Sequence, residues 1–109
     1  MLKGMRRLLK QQGYEAVPFE TAKALRDHRD FEHVLCIVLD VNLSDGSGIE
    51  LRHQLVEQGV KVPVIYITGN DSDATRMAAL ASGCLAYLTK PFSAQSLIEP
   101  IERAAAAFV

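Results

Sequence analysis

Apolar residues follow two arrangements along this chain: short, nearly uninterrupted runs, and positions spaced by a helical turn. The runs are "HVLCIVLD" at 33–40, "KVPVIYIT" at 61–68 and "CLAYLT" at 84–89. Because a run without regular polar alternation is buried on both faces, each predicts a parallel β-strand covered by helices on both sides. A weaker strand is predicted at 14–20, where "YEAVPFE" alternates apolar and polar residues around Pro18.

The segments between these runs have helical spacing, and five helices are predicted. The first has one apolar face and ends before a glycine; its residues are Leu2, Met5, Leu8 and Leu9, followed by Gly13. The second covers "AKALRDHRD" after an N-cap at Thr21, the third covers 49–58 and the fourth covers 73–82. The fifth follows a cap at Ser93, and Pro100 is expected to bend it before it ends near residue 107.

These elements predict both a core and an architecture. The helical residues expected to face the core are Ala22, Ala24 and Leu25 in the second helix and Leu51, Leu55 and Val56 in the third. Helices and strands alternate through short connections, which predicts an α/β fold with a parallel, doubly wound sheet in a three-layer αβα sandwich. At 109 residues, the chain is expected to be one domain spanning 1–109.

Composition narrows the classes of function. The net charge of −1 provides no basic surface for nucleic acid or for an anionic membrane, so neither is expected as a direct partner. Neither a signal peptide nor an apolar span of about 18 residues is present, so the protein is expected to be cytoplasmic. Cys36 and Cys84 lie inside apolar runs without metal-ligand spacing, and free thiols are favoured over a disulfide.

Three polar residues stand at or just after the ends of predicted strands: Asp40, Thr68 and Lys90. Because the carboxyl ends of parallel strands share one edge of the sheet, these side chains are expected to lie close together. Asp40 could then accept a phosphoryl group as a nucleophile, with Thr68 and Lys90 binding two phosphoryl oxygens. The backbone carbonyl of Asn42 could share a Mg²⁺ ion with Asp40.

The stretches "VLDVNLSDGSGIEL", "PVIYITG" and "YLTKPF" resemble the receiver domain of response regulators, the phosphate-accepting partner of histidine kinases in two-component signalling. The resemblance covers essentially the whole chain and implies the CheY-like, flavodoxin-like version of the fold. It implies that Asp40 is the phosphoacceptor, that Thr68 moves toward the phosphate, and that Lys90 binds it. It also implies that Tyr87 is an aromatic rotamer switch and that the Lys90–Pro91 bond is cis.

Two departures from the family pattern affect what is expected. Ser44 stands where a proline is usual. More seriously, the sequence begins inside the first helix, so the first strand and the acidic pair that binds Mg²⁺ are missing; Glu15, Glu20 and Asp45 do not fall where they could replace that pair. An N-terminally truncated receiver is therefore expected to hold Mg²⁺ weakly or not at all, and its exposed strand edge favours a homodimer.

Three other classes of function compete with this one. A degenerate, unphosphorylated receiver-like binding module is the main alternative. A haloacid-dehalogenase-type phosphatase would need a second aspartate where Asn42 stands, so the protein is not expected to be an enzyme. A calcium loop is rejected because Leu51 occupies the position of its bidentate glutamate. With no effector domain after Val109, output is expected to pass through a downstream protein partner.

Overall fold

The structure is a computed structural model that describes residues 2–28 and 30–107, with side chains described from Gly4 onward. The predicted inward position of Leu2 therefore lies outside the described side chains. The helices are α1 (Leu2–Gln11), α2 (Ala22–Asp27), α3 (Gly48–Glu57), α4 (Asp73–Ala81) and α5 (Ala94–Ala107). The strands are β1 (Ile37–Asp40), β2 (Asn42–Leu43), β3 (Gly46–Ser47), β4 (Val64–Thr68) and β5 (Ala86–Thr89). In this part of the chain no helix is long and apolar enough to cross a membrane.

The main sheet is parallel, with strand order β1-β4-β5. Ile37 aligns with Val64 at one end of the β1–β4 pair, and Thr68 aligns with Thr89 at the end of the β4–β5 pair. Strands β2 and β3 form a separate two-stranded antiparallel hairpin between β1 and α3. The predicted parallel arrangement is confirmed, and β4 is its central strand.

Helices cover both faces of this sheet. On one face, Val64 and Tyr66 belong to a core cluster with residues of α2, α3 and α4, including Leu25, Leu55 and Ala79. On the other face, Ile65 packs in a cluster with residues of α1 and α5; its further buried members are Leu9, Leu97, Ile98 and Ile101. Because successive strand residues point to opposite faces, an uninterrupted apolar run supplies both clusters. The predicted three-layer αβα sandwich is confirmed.

The predicted strand at 14–20 is wrong. The segment has no ladder partner in the described structure and crosses from one core cluster to the other. Tyr14 and Ala16 pack against the α1–α5 cluster, whereas Phe19 packs against the cluster that contains α2. A strand needs a neighbour for its backbone N–H and C=O groups, and Pro18 also removes one donor.

The three confirmed strands begin two to four residues later than their apolar runs predicted. Pairing of β1 starts where the Ile37 N–H donates to the Pro63 carbonyl at 2.9 Å. Pro63 has no N–H and cannot donate to a neighbouring strand, and the regular ladder begins at the next residue, Val64. The apolar residues before each strand still contribute to the clusters, which is why the runs extend beyond the hydrogen-bonded part.

Two residues predicted to face the core are exposed: Ala24, and Val56, whose exposed fraction is 41%. The apolar residues that are buried lie three or four positions apart, Ala22 and Leu25 in α2 and Leu51 and Leu55 in α3, and each exposed residue directly precedes or follows one of them. A neighbouring residue is turned by about 100°, so it leaves the buried face. The second helix also ends earlier than predicted, at Asp27, because His28 has an extended backbone.

The predicted helix caps at Thr21 and Ser93 and the predicted free cysteines are confirmed. At the start of α2 the Thr21 side chain accepts a hydrogen bond from the Ala24 N–H, and at the start of α5 the Ser93 side chain accepts one from the Ser96 N–H. Gly13 follows α1 with a φ of +88°, a conformation that favours glycine. Both cysteines are free, and burial raises the pKa of the Cys36 thiol to about 11.

The start of α3 lies directly against the end of β1. The Gly48 N–H donates to the Val41 carbonyl at 2.8 Å, and Ser47 caps the helix by accepting from the Glu50 N–H. A Cβ at position 48 would lie 2.2 Å from the Asp40 carbonyl oxygen. Only glycine therefore lets the helix approach the backbone of Asp40 this closely.

We expect the substitution Gly48→Ala to destabilise the fold by about 1–3 kcal/mol. The added Cβ would clash with the backbone of Asp40, which cannot move aside as the end of a flexible side chain could. Gly4→Ala is the matched control, because a Cβ on this helical glycine would meet no atom within 4 Å. We expect that control to be neutral or up to about 1 kcal/mol more stable. Urea unfolding measures both, and equal effects of the two substitutions would contradict the close approach.

Candidate functional site

The three polar residues predicted to converge lie at one edge of the parallel sheet. Asp40 ends β1, Thr68 ends β4, and Lys90 directly follows β5. Backbone bonds hold these ends together: the Val41 N–H donates to the Ile67 carbonyl at 2.9 Å, and the Lys90 N–H donates to the Thr68 carbonyl at 2.8 Å. The site is therefore built by strand pairing and not by a flexible loop.

The Asp40 carboxylate is held through both oxygens. Lys90 Nζ donates to Asp40 Oδ2 at 2.9 Å, and the Asn42 backbone N–H donates to Oδ1 at 2.9 Å. The side chains of Asp40 and Lys90 remain 24% and 32% exposed. The carboxylate is thus oriented by a cation and a backbone donor while staying accessible to a reactant from solvent.

Thr68 is fully buried at the end of the central strand. Its Oγ1 accepts a hydrogen bond from the Asn70 backbone N–H at 3.0 Å, so the hydroxyl proton is left to donate elsewhere. The described hydrogen bond of Thr68 is thus to the loop that follows β4. Asp40 and Lys90, in contrast, bond each other directly. The loop also packs near Lys90, since a Cβ on Gly69 would lie 3.6 Å from Lys90 Cδ. The Lys90–Pro91 bond is cis, as expected.

Asp45 has a structural contact that the sequence did not predict. Its carboxylate accepts the backbone N–H of Ala22 at 2.9 Å and that of Lys23 at 3.2 Å, and so joins the β2–β3 hairpin to the start of α2. These two hydrogen bonds lower the pKa of Asp45. No local signal marks this contact, because Asp45 lies 23 residues from Ala22 in the chain.

The described residues offer an incomplete set of metal ligands. Among residues 2–28 and 30–107, no group of three or more His, Cys, Asp or Glu residues could hold a metal ion. At the Asp40 site, the carboxylate is the anionic donor that the described contacts show, and the Asn42 backbone faces it with its N–H, while the predicted role of the Asn42 carbonyl stays a prediction. Mg²⁺ prefers several oxygen ligands with negative charge among them, so this donor set does not fit a tight Mg²⁺ site.

Tyr87 lies on β5 opposite Tyr66 of β4, on the sheet face that carries α4. Its hydroxyl donates to Asp71 Oδ1 at 2.9 Å, and the guanidinium carbon of Arg76 lies 5.5 Å from the centre of its ring. Neither Asp71 nor Arg76 was predicted as a site residue. Nothing in the sequence marks them, because the contacts join the loop before α4, α4 itself and β5.

Comparisons with known proteins give relatives of one kind. The family of response regulator receiver domains matches residues 1–102. Nodulation protein W of Bradyrhizobium diazoefficiens is 29% identical over 101 residues, which cover 93% of this chain and 44% of that protein. The chain thus spans about half the length of the curated relatives it matches.

Solved structures agree in fold. Response regulator StyR has a TM-score of 0.86 at 33% identity, over 96% of this chain and 53% of the StyR chain. The beryllofluoride-activated NtrC4 receiver domain dimer has a TM-score of 0.86 at 27% identity, over 98% of this chain and 88% of that one. With the family match covering most of its length, the chain belongs to the response regulator receiver domain family and is a receiver domain of two-component signalling.

Proposed function

We propose that residues 1–109 form one receiver domain that accepts a phosphoryl group on Asp40 from a sensor histidine kinase in the cytoplasm. The observation that carries the proposal is the 2.9 Å contact between Lys90 Nζ and Asp40 Oδ2 at the carboxyl edge of the sheet. A cation fixed against a partly exposed carboxylate is suited to receiving a phosphoryl group, because it neutralises charge that gathers there during transfer.

The proposed transfer exchanges one bond to phosphorus for another. A carboxylate oxygen of Asp40 forms a bond to phosphorus as the phosphorus–nitrogen bond of a phosphohistidine breaks. The imidazole nitrogen leaves with the bonding electron pair, and the ring then takes up a proton. The Lys90 ammonium moves from the carboxylate to a phosphoryl oxygen, and the Thr68 hydroxyl donates a hydrogen bond to a second phosphoryl oxygen.

Such a domain signals by changing the shape of a surface that a partner protein binds. Capture of the phosphoryl group by Thr68 pulls on the loop that follows it, and Tyr87, on the same face of the sheet, changes position. The surface formed by α4, β5 and α5 would then bind a downstream protein partner. In this role the domain signals by contact and is not an enzyme acting on a separate substrate.

A degenerate receiver that binds a partner without phosphate is the second candidate. The observation that favours it is that the described residues contain no group of three or more His, Cys, Asp or Glu side chains that could hold a metal ion. Mg²⁺, when bound in a receiver, supplies positive charge beside the reacting phosphoryl group. The two candidates differ in one measurable property, the phosphorylation of Asp40. A haloacid-dehalogenase-type phosphatase has no support, since Asn42 stands where its acid would be.

Self-association is a further part of the proposal. In the described sheet β1 pairs with β4 on one side, and its other edge has no ladder partner. An open strand edge presents unpaired backbone groups that a second copy can use. The NtrC4 receiver domain was solved as a dimer, which adds support for a homodimer here.

Incubation with acetyl phosphate and Mg²⁺, followed by mass-spectrometric mapping, should label Asp40 slowly. Asp40→Asn should remove the label. Asp45→Asn should leave it in place, because that nearby carboxylate is occupied with the backbone of α2. A label on another residue would contradict the assignment, and complete absence of label would favour the degenerate module.

Mg²⁺ should bind to the 109-residue chain with a dissociation constant of about 1 mM or weaker, because one carboxylate provides little charge for a divalent cation. Titration calorimetry measures this, and Asp40→Asn should remove the remaining binding. Saturation well below millimolar concentration would mean that other carboxylates complete the site.

Light scattering after size exclusion should give twice the mass of one chain at micromolar concentration. The physical reason is that pairing of two β1 edges satisfies backbone groups that water otherwise solvates. A monomer with a normal cooperative unfolding transition would contradict the homodimer.

A further inference from the structure

The side chains of Asp71, Arg76 and Tyr87 form a closed triangle on the surface beside α4, which we name the Tyr87 latch. Asp71 Oδ1 accepts from the Tyr87 hydroxyl at 2.9 Å, and Asp71 Oδ2 accepts from Arg76 at 2.6 Å. The guanidinium of Arg76 also lies over the Tyr87 ring, 5.5 Å from its centre. Each residue thus contacts the other two, and both oxygens of Asp71 are used.

The protonation states suit these contacts. The hydrogen bond from Arg76, and next the one from Tyr87, lowers the pKa of Asp71. Burial and the hydrogen bond to Asp71 raise the pKa of the Tyr87 phenol. At neutral pH the carboxylate is therefore ionised as an acceptor while the phenol keeps the proton that it donates.

The latch is connected to the proposed phosphate site by a short piece of chain. Thr68 Oγ1 accepts from the Asn70 N–H, and Asp71 is the next residue. Two residues later α4 begins, with Ser72 as its N-cap, and this helix carries Arg76. A displacement of Thr68 toward a phosphoryl group therefore acts on the loop that carries one latch residue and leads into the helix that carries another.

We propose that Asp71 and Arg76 are positioning residues that hold Tyr87 in its resting position, so that signalling requires the Asp71–Tyr87 hydrogen bond to break. The inference rests on the proposed role of Tyr87 as a switch and adds what restrains it. The Arg76 and Asp71 side chains are 52% and 35% exposed, and Tyr87 is partly buried against the core. Because solvent screens the two charged groups, the restraint is weak enough to be overcome by a single phosphorylation. Loss of one such exposed contact changes a two-state population by about two- to fivefold.

Fluorotyrosine labelling gives a direct readout in the full chain, because the chain has only three tyrosines and no tryptophan. Tyr66 is fully buried and bonded to Ser82, and Tyr14 packs near α1, so their ¹⁹F signals serve as internal references. Tyr87→Phe assigns the third signal. This readout needs no phosphorylation, so it tests the latch separately from the phosphoacceptor role.

Asp71→Ala should raise the population of the second Tyr87 position by about two- to fivefold, seen as a shift of the Tyr87 signal alone. Asp71→Asn keeps an acceptor for the phenol and should have a smaller effect, and it replaces Asp71→Ala if that variant does not fold. Asp73→Asn is the matched control, since it removes one negative charge two residues from Asp71, in the first turn of α4, while Asp71 keeps its hydrogen bond from Tyr87. Arg76→Lys should lie between the wild type and Asp71→Ala.

An unchanged Tyr87 signal in both Asp71 variants would overturn the latch, as would an equal shift in Asp73→Asn. A shift of the Tyr66 and Tyr14 signals together with that of Tyr87 would also overturn it, because it would indicate a general structural effect. If Asp71→Ala moves Tyr87 but acetyl phosphate labels no residue, the latch stands and the phosphoacceptor role of Asp40 fails. If Asp40 is labelled and the Tyr87 signal is unchanged in the Asp71 variants, the phosphoacceptor role of Asp40 stands and the latch fails.

Discussion

The whole structure depends on the burial of β4. All five of its residues are buried, and both β1 and β5 obtain their hydrogen bonds from it. Its alternate side chains supply the two core clusters, so α2, α3 and α4 on one face and α1 and α5 on the other are held by the same strand. Because β4 is paired and covered on all sides, its polar last residue, Thr68, is fixed at the carboxyl edge of the sheet with its side chain fully buried.

The sequence predicted the elements that depend on local pattern. The apolar runs identified the three paired strands, and the caps at Thr21 and Ser93 located two helix starts. Asp40, Thr68 and Lys90 could be placed together because parallel strands end at a common edge. The prediction of a strand at 14–20 was wrong because a strand also needs a paired neighbour. The segment has the sequence pattern of a strand, but no described strand lies beside it.

Contacts between distant segments were beyond prediction for the same reason. Asp45 reads as one more polar residue of a loop, yet it links the hairpin after β1 to the start of α2. Asp71 and Arg76 look like ordinary surface charges at a helix start until β5 brings Tyr87 beside them. In each case the side chain's partner is set by the packing of layers, which the periodicity of a single segment does not encode.

The contact between Lys90 and Asp40 joins residues that are 50 positions apart in the chain. Closing a loop of that length costs entropy, which the intervening elements offset because the β1–β4 and β4–β5 pairs bring the two residues to the same edge of the sheet. A molecule in which β5 has separated from β4 would keep the Asp40 carboxylate but lose the ammonium beside it. The setting of this carboxylate is therefore a property of the whole sheet and of no single segment.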